Sequence, residues 1–562
     1  FRPNYLKIML LEIWQHLILM SFMSAYAINL HADTLNLDPI KVIGNYDNAV
    51  DTSDAASQGV VTSSLISSRP TFRTGELLEF IPGMIVSQHS GDGKANQYYL
   101  RGFNLDHGTD FATYVDDVPV NMRTHAHGQG YTDLNFLIPE LINRIQYKKG
   151  SYFAEEGDFS SAGAAHLQLV NSLPKGLASL SIGNNGYQRA LLASSIEVAS
   201  GDLLYGLEIN RNDGPWNNPE DVKKYSGVLR YSEGSSADGF NLTAMAYHNK
   251  WNATDQIPLR AVQAGDIDRY GAIDPTDGGK SSRYSLSFAK YQRDQNGAFD
   301  FNAYFVKSSL DLYSNFTYFL NNPVEGDQFN QSENRRMAGF NLSKTWYNNL
   351  AGFEMQNKIG LQTRYDDLSP VALYNTVAQT RTSVIRSDQV KEASAGIYAE
   401  NNTLWLENFR SVLGLRYDNY HFDVDSSIQG NSGKVNDGIV SPKLSLIFGP
   451  WAKTEYFINY GKGFHSNDAR GTTQTQLPSG GASSPVTPLV TTRGSELGLR
   501  TEVIQGLQSS LALWQLDIVS ELVFVGDAGE TEASRFSHRY GIEWSNHYIV
   551  NDWLLLDMDI AV

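Results

Sequence analysis

The run Phe299-Asp300-Phe301-Asn302-Ala303-Tyr304-Phe305-Val306 alternates between apolar and polar side chains over most of its length. Alternation with a period of two is typical of a β-strand whose two faces meet different surroundings. The same pattern recurs down the chain, at Leu203 to Asn210, Gly239 to Tyr247, Arg283 to Tyr291, Ser411 to Tyr417, Lys453 to Tyr460 and Gln508 to Asp517. The region from Leu177 onward is therefore predicted to be all-β.

The connections between these strands fall into two classes. Tight turns occur at Ala199 to Asp202, Gln295 to Gly297 and Gly449 to Trp451. Long polar loops are predicted at Asn252 to Gly279, Ser369 to Gln389 and Asn467 to Thr492. Short turns at one end and long loops at the other are typical of a transmembrane β-barrel, which closes because lipid satisfies no exposed strand edge.

The composition favours a barrel over a helical membrane protein. Of the 562 residues, 30 are Tyr and 26 are Phe, and no stretch after the N-terminal segment reaches the roughly 18 consecutive apolar residues of a membrane helix. The net charge of -17 argues against a nucleic-acid partner, because phosphates require clustered Lys and Arg. The absence of Cys excludes disulfides, thiolate nucleophiles and Cys-ligated metals.

The N-terminal residues are predicted to be an export signal followed by a tether. Lys7 precedes the apolar run Leu17 to Met23, which is too short to span a bilayer and is followed by the small-residue site Ala25-Tyr26-Ala27. We therefore expect a signal peptide at residues 1–27 and a polar tether at residues 28–48. The tether contains one β-prone island, Asp38-Pro39-Ile40-Lys41-Val42-Ile43-Gly44.

Residues 49–170 have mixed helix and strand character, unlike the barrel expected at residues 171–562. A short helix is predicted at Thr74 to Phe80, because Pro82 and Gly83 disfavour its continuation. Short strands separated by Gly and Asp turns are predicted at Tyr98 to Arg101, Ala112 to Val115 and Ile142 to Lys148. The pattern predicts a compact α+β domain ahead of the barrel.

Four motifs in this α+β region carry a family resemblance. They are ELLEFIPGM at Glu76 to Met84, YLRGF at Tyr99 to Phe103, YVDDVPVN at Tyr114 to Asn121 and IPELINRIQYKKG at Ile138 to Gly150. In this order and spacing they resemble the plug signature of TonB-dependent outer-membrane receptors, with departures at Asp117 and Gln146. A further departure, at Glu156 to Leu167, weakens inference to any one substrate subfamily.

The resemblance implies an N-terminal α+β plug inside an antiparallel transmembrane barrel of roughly 22 strands, in the bacterial outer membrane. The sequence pattern gives about seventeen strands after the plug, whereas single-chain bacterial barrels have an even number. The chain also stops within a predicted strand, Trp553 to Val562. We therefore expect the barrel to be incomplete at its C-terminus.

The resemblance also implies energised import, in which TonB and its inner-membrane complex act on the plug. A strand of TonB can pair with any β-prone segment on a flexible tether. The island Asp38 to Gly44 is therefore expected to be the TonB box, and the alternative is an ordinary first strand or linker.

The plug is expected to be held in the barrel by ion pairs, because charges buried in a lumen need partners. By motif, the resemblance implies that Arg101 and Arg144 of the plug contact Glu496 and Glu543 of the barrel. In the alternative, the two glutamates face water.

A histidine-containing segment, Arg123 to Tyr131, is the most distinctive candidate for substrate binding. The residues expected to contact substrate are His107, Arg123, His125, His127, Gln129 and Tyr131. If the segment is extended, His125 and His127 share one face and could ligate Zn, Cu or Ni. Two other readings stay open: hydrogen bonding to the oxygens of a metal chelate, and ordinary polar loop residues at the plug apex.

The expected cargo is a ferric siderophore, and the alternative is free or loosely chelated zinc or copper.

No enzyme activity is expected, because the sequence lacks a Gly-x-Ser-x-Gly elbow and a His-Glu-x-x-His motif. A passive porin would need neither plug nor TonB box. The expected partners are TonB with its energising complex, outer-membrane lipid and lipopolysaccharide, and the metal-chelate substrate; no cofactor and no nucleic acid are expected.

Replacing Val42 with Pro tests the TonB box. Proline removes a backbone donor and distorts an added strand, so uptake should collapse while substrate binding at the cell surface stays normal. Uptake and surface binding are measured side by side with a labelled substrate. Loss of both together would indicate misfolding instead, and unchanged uptake would contradict the assignment.

Overall fold

A computed structural model of the chain describes residues 44–88, 91–521, 523–532, 535–551 and 553–562. The predicted signal peptide and the TonB-box residues Asp38, Pro39, Ile40, Lys41, Val42 and Ile43 lie outside the described residues. Gly44, the last residue of the predicted box, is the first described one.

The N-terminal α+β region contains two small sheets. Its strands are β1 (Tyr46–Asp47), β2 (Gln58–Val61), β3 (Ile85–Ser87), β4 (Gln97–Leu100), β5 (Phe103–Asn104), β6 (Phe111–Val115), β7 (Val118–Pro119), β8 (Ile142–Lys149) and β9 (Gly163–Leu169). One sheet has the order β1-β2-β8-β9-β6-β7, with β6 and β9 parallel, and the other has the order β3-β4-β5. The three strands predicted from the sequence are confirmed.

Among its described residues, three short helices complete this region, which we call the plug. They are α1 (Ser63–Ser68) and the 3-10 helices Thr74–Phe80 and Pro139–Leu141. The helix over Thr74–Phe80 ends before Pro82, as predicted, and buries Leu77 and Leu78 in the plug core. That core also contains Ile145 and Leu167, which fixes the helix against β8 and β9.

Over the described residues from Leu177 onward, a 17-stranded antiparallel sheet is formed by strands that neighbour one another in chain order. Its strands are β10 (Leu177–Ile182), β11 (Gln188–Val198), β12 (Gly201–Asn212), β13 (Val222–Gly234), β14 (Asp238–Asn252), β15 (Gly278–Asp294), β16 (Gly297–Ser314), β17 (Phe329–Leu350), β18 (Phe353–Val377), β19 (Thr380–Leu406), β20 (Phe409–Ser426), β21 (Gly433–Trp451), β22 (Thr454–Ser466), β23 (Leu489–Thr501), β24 (Leu507–Ile518), β27 (Ser537–Asn551) and β28 (Leu554–Ala561). The all-β prediction from Leu177 onward is confirmed.

A few short elements lie in the long connections between these strands. They are α2 (Leu259–Ala264), the 3-10 helix Gln429–Asn431, α3 (Ala469–Thr472), and the hairpin strands β25 (Val523–Val525) and β26 (Glu530–Glu532). Among the described residues, no helix is long and apolar enough to cross a membrane.

The period-two pattern separates the two faces of the barrel sheet. In β16, Tyr304 and Val306 point inward and pack with Val118 of the plug, whereas Phe305 between them is exposed on the outer face. Outward-facing apolar residues recur on neighbouring strands, as at Leu286 and Ile397. The sequence alternation therefore arises because one face of the sheet packs on the plug and the other presents an apolar band.

One predicted loop is wrong. Residues 369–389 belong to β18 and β19, which are joined only by Ala378 and Gln379. Strands of 25 and 27 residues at about 3.3 Å per residue are far longer than the roughly 30 Å hydrocarbon layer. The part beyond the membrane has no need of an apolar outer face, so it lacks the alternation that marks a strand in the sequence.

The plug backbone approaches the sheet closely at Gly461 on β22. A Cβ atom at this position would lie 2.0 Å from the carbonyl oxygen of Ser151 in the plug. No side chain fits between two backbones at that separation, so glycine is required by close approach.

Replacing Gly461 with Ala should therefore unseat the plug without unfolding the sheet. Protease digestion of purified receptor should cut the plug at least several-fold faster than in the wild type, while heat-modifiable migration persists. Gly227→Ala on β13 is the matched control, because its Cβ would make ordinary contacts, at 3.4 Å to the Leu207 side chain and 3.9 Å to the Gly206 carbonyl oxygen. Equal digestion of both variants would contradict the close-approach argument.

Candidate functional site

Arg101 attaches the plug to the sheet through two glutamates. The turn between β4 and β5 places Arg101 (φ 53°) and Gly102 (φ 72°) in the left-handed region, which directs the guanidinium at β23 and β27. Its Nη2 lies 2.9 Å from Glu543 Oε2 and 3.3 Å from Glu496 Oε2, and its Nε donates to Glu543 Oε1 at 3.2 Å. The three side chains are almost fully buried, so this is a desolvated ion triad.

Two further plug residues complete the charge balance, and sequence reasoning missed both. Lys149 Nζ lies 3.2 Å from Glu543 Oε2 and also donates to the Pro82 carbonyl oxygen at 2.6 Å. Ser57 donates to Glu496 through its hydroxyl at 2.5 Å and through its backbone N–H at 3.2 Å. The two buried carboxylates are thus matched by two cations, with neutral donors filling the remaining positions.

Arg144 does not join this cluster, and the prediction that it contacts the barrel glutamates is wrong. Its side chain is exposed and its Nε donates to Gln168 on β9 at 2.6 Å. Side chains alternate along β8, so Arg144 points away from the face that carries Tyr147 and Lys149. The charge expected from Arg144 is supplied by Lys149 at the end of the same strand.

The segment from Met122 to Tyr131 is a closed loop, not an extended strand. The Met122 N–H donates to the Tyr131 carbonyl at 3.0 Å, and the Gly130 N–H donates to the Met122 carbonyl at 2.7 Å. Because the chain turns between these ends, His125 and His127 do not share a face. The His125 ring stacks on Tyr131 at 4.0 Å between centroids, while His127 turns toward His107.

His107 and His127 form an imidazole pair whose Nε2 atoms lie 3.0 Å apart. His107 Nδ1 is 3.1 Å from the Asn96 carbonyl oxygen, which can only accept, so Nδ1 carries the proton there. His127 Nδ1 is 2.7 Å from the side-chain amide of Gln331 on β17. With the Gln331 oxygen against His127 Nδ1, that nitrogen carries the proton and both Nε2 atoms hold lone pairs. With the Gln331 amide reversed, the neutral pair shares one N–H between the two Nε2 atoms.

Burial keeps all three histidines neutral. Burial is the main cause that lowers the pKa of His125, to about 4, although Glu333 on β17 opposes the shift from 3.8 Å. Burial also lowers the pKa of His107 and of His127, and the nearby Lys94 ammonium adds to both shifts. At neutral pH the cluster is thus polar and uncharged.

The other predicted contact residues tie the apex loop to the barrel or to the rest of the plug. Arg123 Nε donates to Asp158 at 2.8 Å, and its Nη2 donates to Tyr420 of β20 at 2.8 Å. Gln129 bridges the β22–β23 connection, through Asn467 at 3.3 Å and the Asp468 N–H at 3.2 Å. The Tyr131 hydroxyl accepts from the Ala95 N–H at 2.9 Å.

The hairpin of β25 and β26 covers this apex loop. Val525 forms an isolated bridge with Gly128, and a Cβ on Gly526 would lie 2.2 Å from the His127 carbonyl oxygen. Phe524 is buried, with the Arg470 guanidinium 3.8 Å from its ring centroid. Arg470 in turn donates to the His125 carbonyl at 2.6 Å. No motif in the sequence marks these barrel residues.

Removing Arg101 should loosen the plug more than any change at Arg144. Arg101→Ala leaves two buried carboxylates close together, and breaking a buried pair costs about 3 to 5 kcal/mol. Plug unfolding by urea, followed by proteolysis, should shift to clearly lower concentration. Arg144→Ala, the exposed control, should cost about 0.5 kcal/mol or less; equal shifts would contradict the role of the triad.

Comparison with known proteins follows the same division of the chain. The TonB-dependent receptor plug domain family matches residues 51–164, and the TonB-dependent receptor-like β-barrel family matches residues 211–556.

Solved structures share the fold at low sequence identity. The copper transporter OprC is 15% identical with a TM-score of 0.69, over 92% of this chain and 79% of that chain. The unliganded ferric citrate transporter FecA is 14% identical with a TM-score of 0.71, over 90% and 77%. The ferric yersiniabactin receptor FyuA from Yersinia pestis is 14% identical with a TM-score of 0.70, over 90% and 78%.

These structures agree with the chain in architecture but carry different cargoes. The two family matches together span most of the sequence, and the plug seated on a large antiparallel sheet is the arrangement that they describe. The chain therefore belongs to the TonB-dependent receptors, which are transporters of the bacterial outer membrane that work with TonB.

Proposed function

We propose that this receptor imports a metal that is already enclosed in an anionic chelate, with a ferric siderophore as the first candidate. The observation that carries the proposal is Lys94. Its side chain is buried, and among the described residues its Nζ atom has no hydrogen-bond partner. A buried ammonium without a partner favours an anionic ligand and disfavours a bare cation.

The neighbourhood of Lys94 supports the same cargo. Burial lowers the pKa of Lys94 to about 8, and the carboxylates of Asp255, Asp106 and Asp527 oppose the shift and favour the ammonium form. The Lys94 charge lowers the pKa of both His107 and His127, and Asn96, two residues further along the chain, accepts from His107. Neutral imidazoles donate and accept hydrogen bonds, and chelate oxygens offer matching acceptors.

A bare ion would need more ligands than the apex offers. Protein sites for zinc commonly use three or four protein ligands. Among the described residues, no group of three or more His, Asp or Glu is arranged to hold a metal ion. A chelate supplies its own ligands and asks the protein only for hydrogen bonds and charge.

Import also requires partners and motion. We propose Asp38 to Gly44 as the TonB box and the apolar outer band as the surface that contacts lipid and lipopolysaccharide. Cargo could reach His125 and His127 only after the hairpin of β25 and β26 moves, because that hairpin covers them.

Uptake of free or loosely chelated zinc or copper is a second candidate, favoured by one observation. The facing Nε2 atoms of His107 and His127 are 3.0 Å apart, and each Nδ1 is held by an oxygen-bearing group. Imidazoles oriented in this way are typical metal ligands. The pair differs from the His125 and His127 pair that the sequence predicted.

Two variants separate the candidates, Lys94→Met and the double change His107→Gln with His127→Gln. A charged hydrogen bond is worth about 1.5 to 3 kcal/mol, so Lys94→Met should lower ferric chelate uptake by roughly tenfold to a hundredfold. The double change should lower it by about tenfold or less, because each glutamine keeps a hydrogen-bonding amide and the net loss is about that of one neutral hydrogen bond. Uptake is measured with radiolabelled iron in a panel of ferric siderophores, and with zinc and copper salts.

Free-metal import predicts the opposite ranking. The double change would then abolish zinc or copper uptake, and Lys94→Met would leave it equal or faster because a repelling charge is gone. Lys280→Met is the control, since that lysine is exposed beside Asp311 on the neighbouring strand. Unchanged uptake in all variants would contradict both candidates.

A further inference from the structure

Among the described residues, Arg283 on β15 is a buried cation without a hydrogen-bonding partner. Only 7% of its surface is exposed, and its Nε atom is buried with nothing to accept from it. No carboxylate of the described residues forms an ion pair with its guanidinium, and its contact with the plug is the ring of Phe136, 4.6 Å away. A ring face attracts the charge but leaves the N–H donors unmatched.

Neighbouring arginines of the barrel interior show how a buried guanidinium is ordinarily matched. Arg335 pairs with Glu333 at 2.8 Å, and Arg416 pairs with Asp418 at 2.7 Å. Burying a guanidinium without such a carboxylate costs free energy, so Arg283 lowers the stability of the resting receptor. A destabilising residue of this kind is typical of a functional site.

Arg283 lines a small cavity beside the apex loop. The cavity has a volume of about 40 Å³, and its plug wall includes His125 and Tyr131. Its barrel wall includes Ser281 and Tyr247, and the Ser281 hydroxyl donates to the Tyr247 hydroxyl at 3.2 Å. The cavity therefore brings an unmatched cation and fixed hydroxyl groups together at the edge of the histidine cluster.

Two carboxylates reach the same cavity without pairing with Arg283. Glu333 is matched by Arg335 at 2.8 Å. Asp133 accepts from the Asn135 N–H at 2.8 Å and, among the described residues, has no ion pair with Arg283. Both carboxylates are thus held by donors of their own, which leaves the guanidinium for an incoming acceptor.

The size and shape of the cavity limit the group that can enter. At about 10 to 15 Å³ for each water-sized volume, the cavity takes roughly three heavy atoms, which is the size of a carboxylate. A catechol ring is too large for it, and a hydroxamate that coordinates iron has no free charge to offer. The planar guanidinium matches a planar carboxylate through a pair of parallel hydrogen bonds.

We propose that Arg283 binds a free carboxylate arm of the imported chelate. This inference rests on the proposed function and deepens it, because it names the cargo as a carboxylate-bearing ferric chelate. His125 and Tyr131 belong to the apex loop and also line the cavity, so a chelate that rests on the loop has a side arm beside the guanidinium. Lys94 then responds to the overall negative charge, whereas Arg283 selects the group that carries it.

Replacing Arg283 with Met separates recognition from structure. Because an unmatched buried charge destabilises the resting protein, the urea midpoint of the variant should equal or exceed that of the wild type. Ferric citrate should bind roughly tenfold more weakly or worse, as expected when a charge-assisted hydrogen bond is lost. Arg283→Lys, which keeps the charge without the planar fork, should fall between the two. A lower urea midpoint for Arg283→Met would overturn the proposal, because it would show that Arg283 supports the fold.

The matched control is Lys290→Met, which removes an exposed cation paired with Asp238 from the same strand. It should leave the binding of every probe unchanged. A ferric trihydroxamate and a ferric tricatecholate complete the probe set, and uptake of all three is followed with labelled iron. If either of these two is imported equally by wild type and Arg283→Met while ferric citrate is not bound, the carboxylate assignment fails and chelate import stands.

Metal-free citrate distinguishes the carboxylate site from the proposed cargo. It is titrated by calorimetry into the purified full-length receptor and into Arg283→Met. If no ferric chelate is imported but the wild type binds citrate roughly tenfold more tightly than the variant, the carboxylate site stands and the proposed import fails. Equal binding to both proteins, or binding to neither, together with no uptake of ferric citrate, would overturn the site.

Discussion

Arg101 lies between Glu496 and Glu543 at the centre of the plug interface, and all three side chains are dry. Charges can be kept in such a place only when they are matched, and Lys149 supplies the second positive charge that two carboxylates require. Bidentate contact to Glu543 also fixes the direction of the guanidinium. The position and rotation of the plug, and with them the position of the histidine loop, follow from this pairing.

Charged groups hold the plug on the β16 to β20 side as well. Lys358 pairs with Glu155, and the guanidiniums of Arg364 and Arg416 donate to the carbonyls of Asn121 and Glu155. The plug is therefore fixed in the sheet by charged contacts on both sides, and separating buried charges on either side is costly.

The sequence predicted what depends on local pattern and missed what depends on contacts across the fold. A strand with one face on the plug and the other on lipid alternates between polar and apolar residues, so β16 was predictable. The outer half of β18 and β19 meets water on its outer face, lacks this alternation and was mistaken for a loop. Arg101 lies on a short turn, and local residues decide where such a turn directs its side chain. Which face of β8 carries Arg144 depends on the register of that strand. The contact of His127 with His107 depends on how the loop folds. Gln331 and Arg470 lie far away in sequence, and no local signal marks them.

The buried histidines also make the closed apex sensitive to acid. The pKa of His125 is about 4 in the closed loop, against an ordinary value of 6.5. Between pH 4 and 6.5 this histidine would therefore bind a proton in an opened loop but not in the closed one. The contribution of His125 to the stability of the closed loop is therefore complete above about pH 6.5 and is lost as the pH falls toward 4. Protonation would also place new positive charge beside Lys94 and Arg470, which act on His127 and His125 respectively. Burial thus keeps the imidazoles that hold the loop shut neutral, whereas the Lys94 ammonium, to which the proposed function assigns an anionic chelate, is charged in spite of its burial.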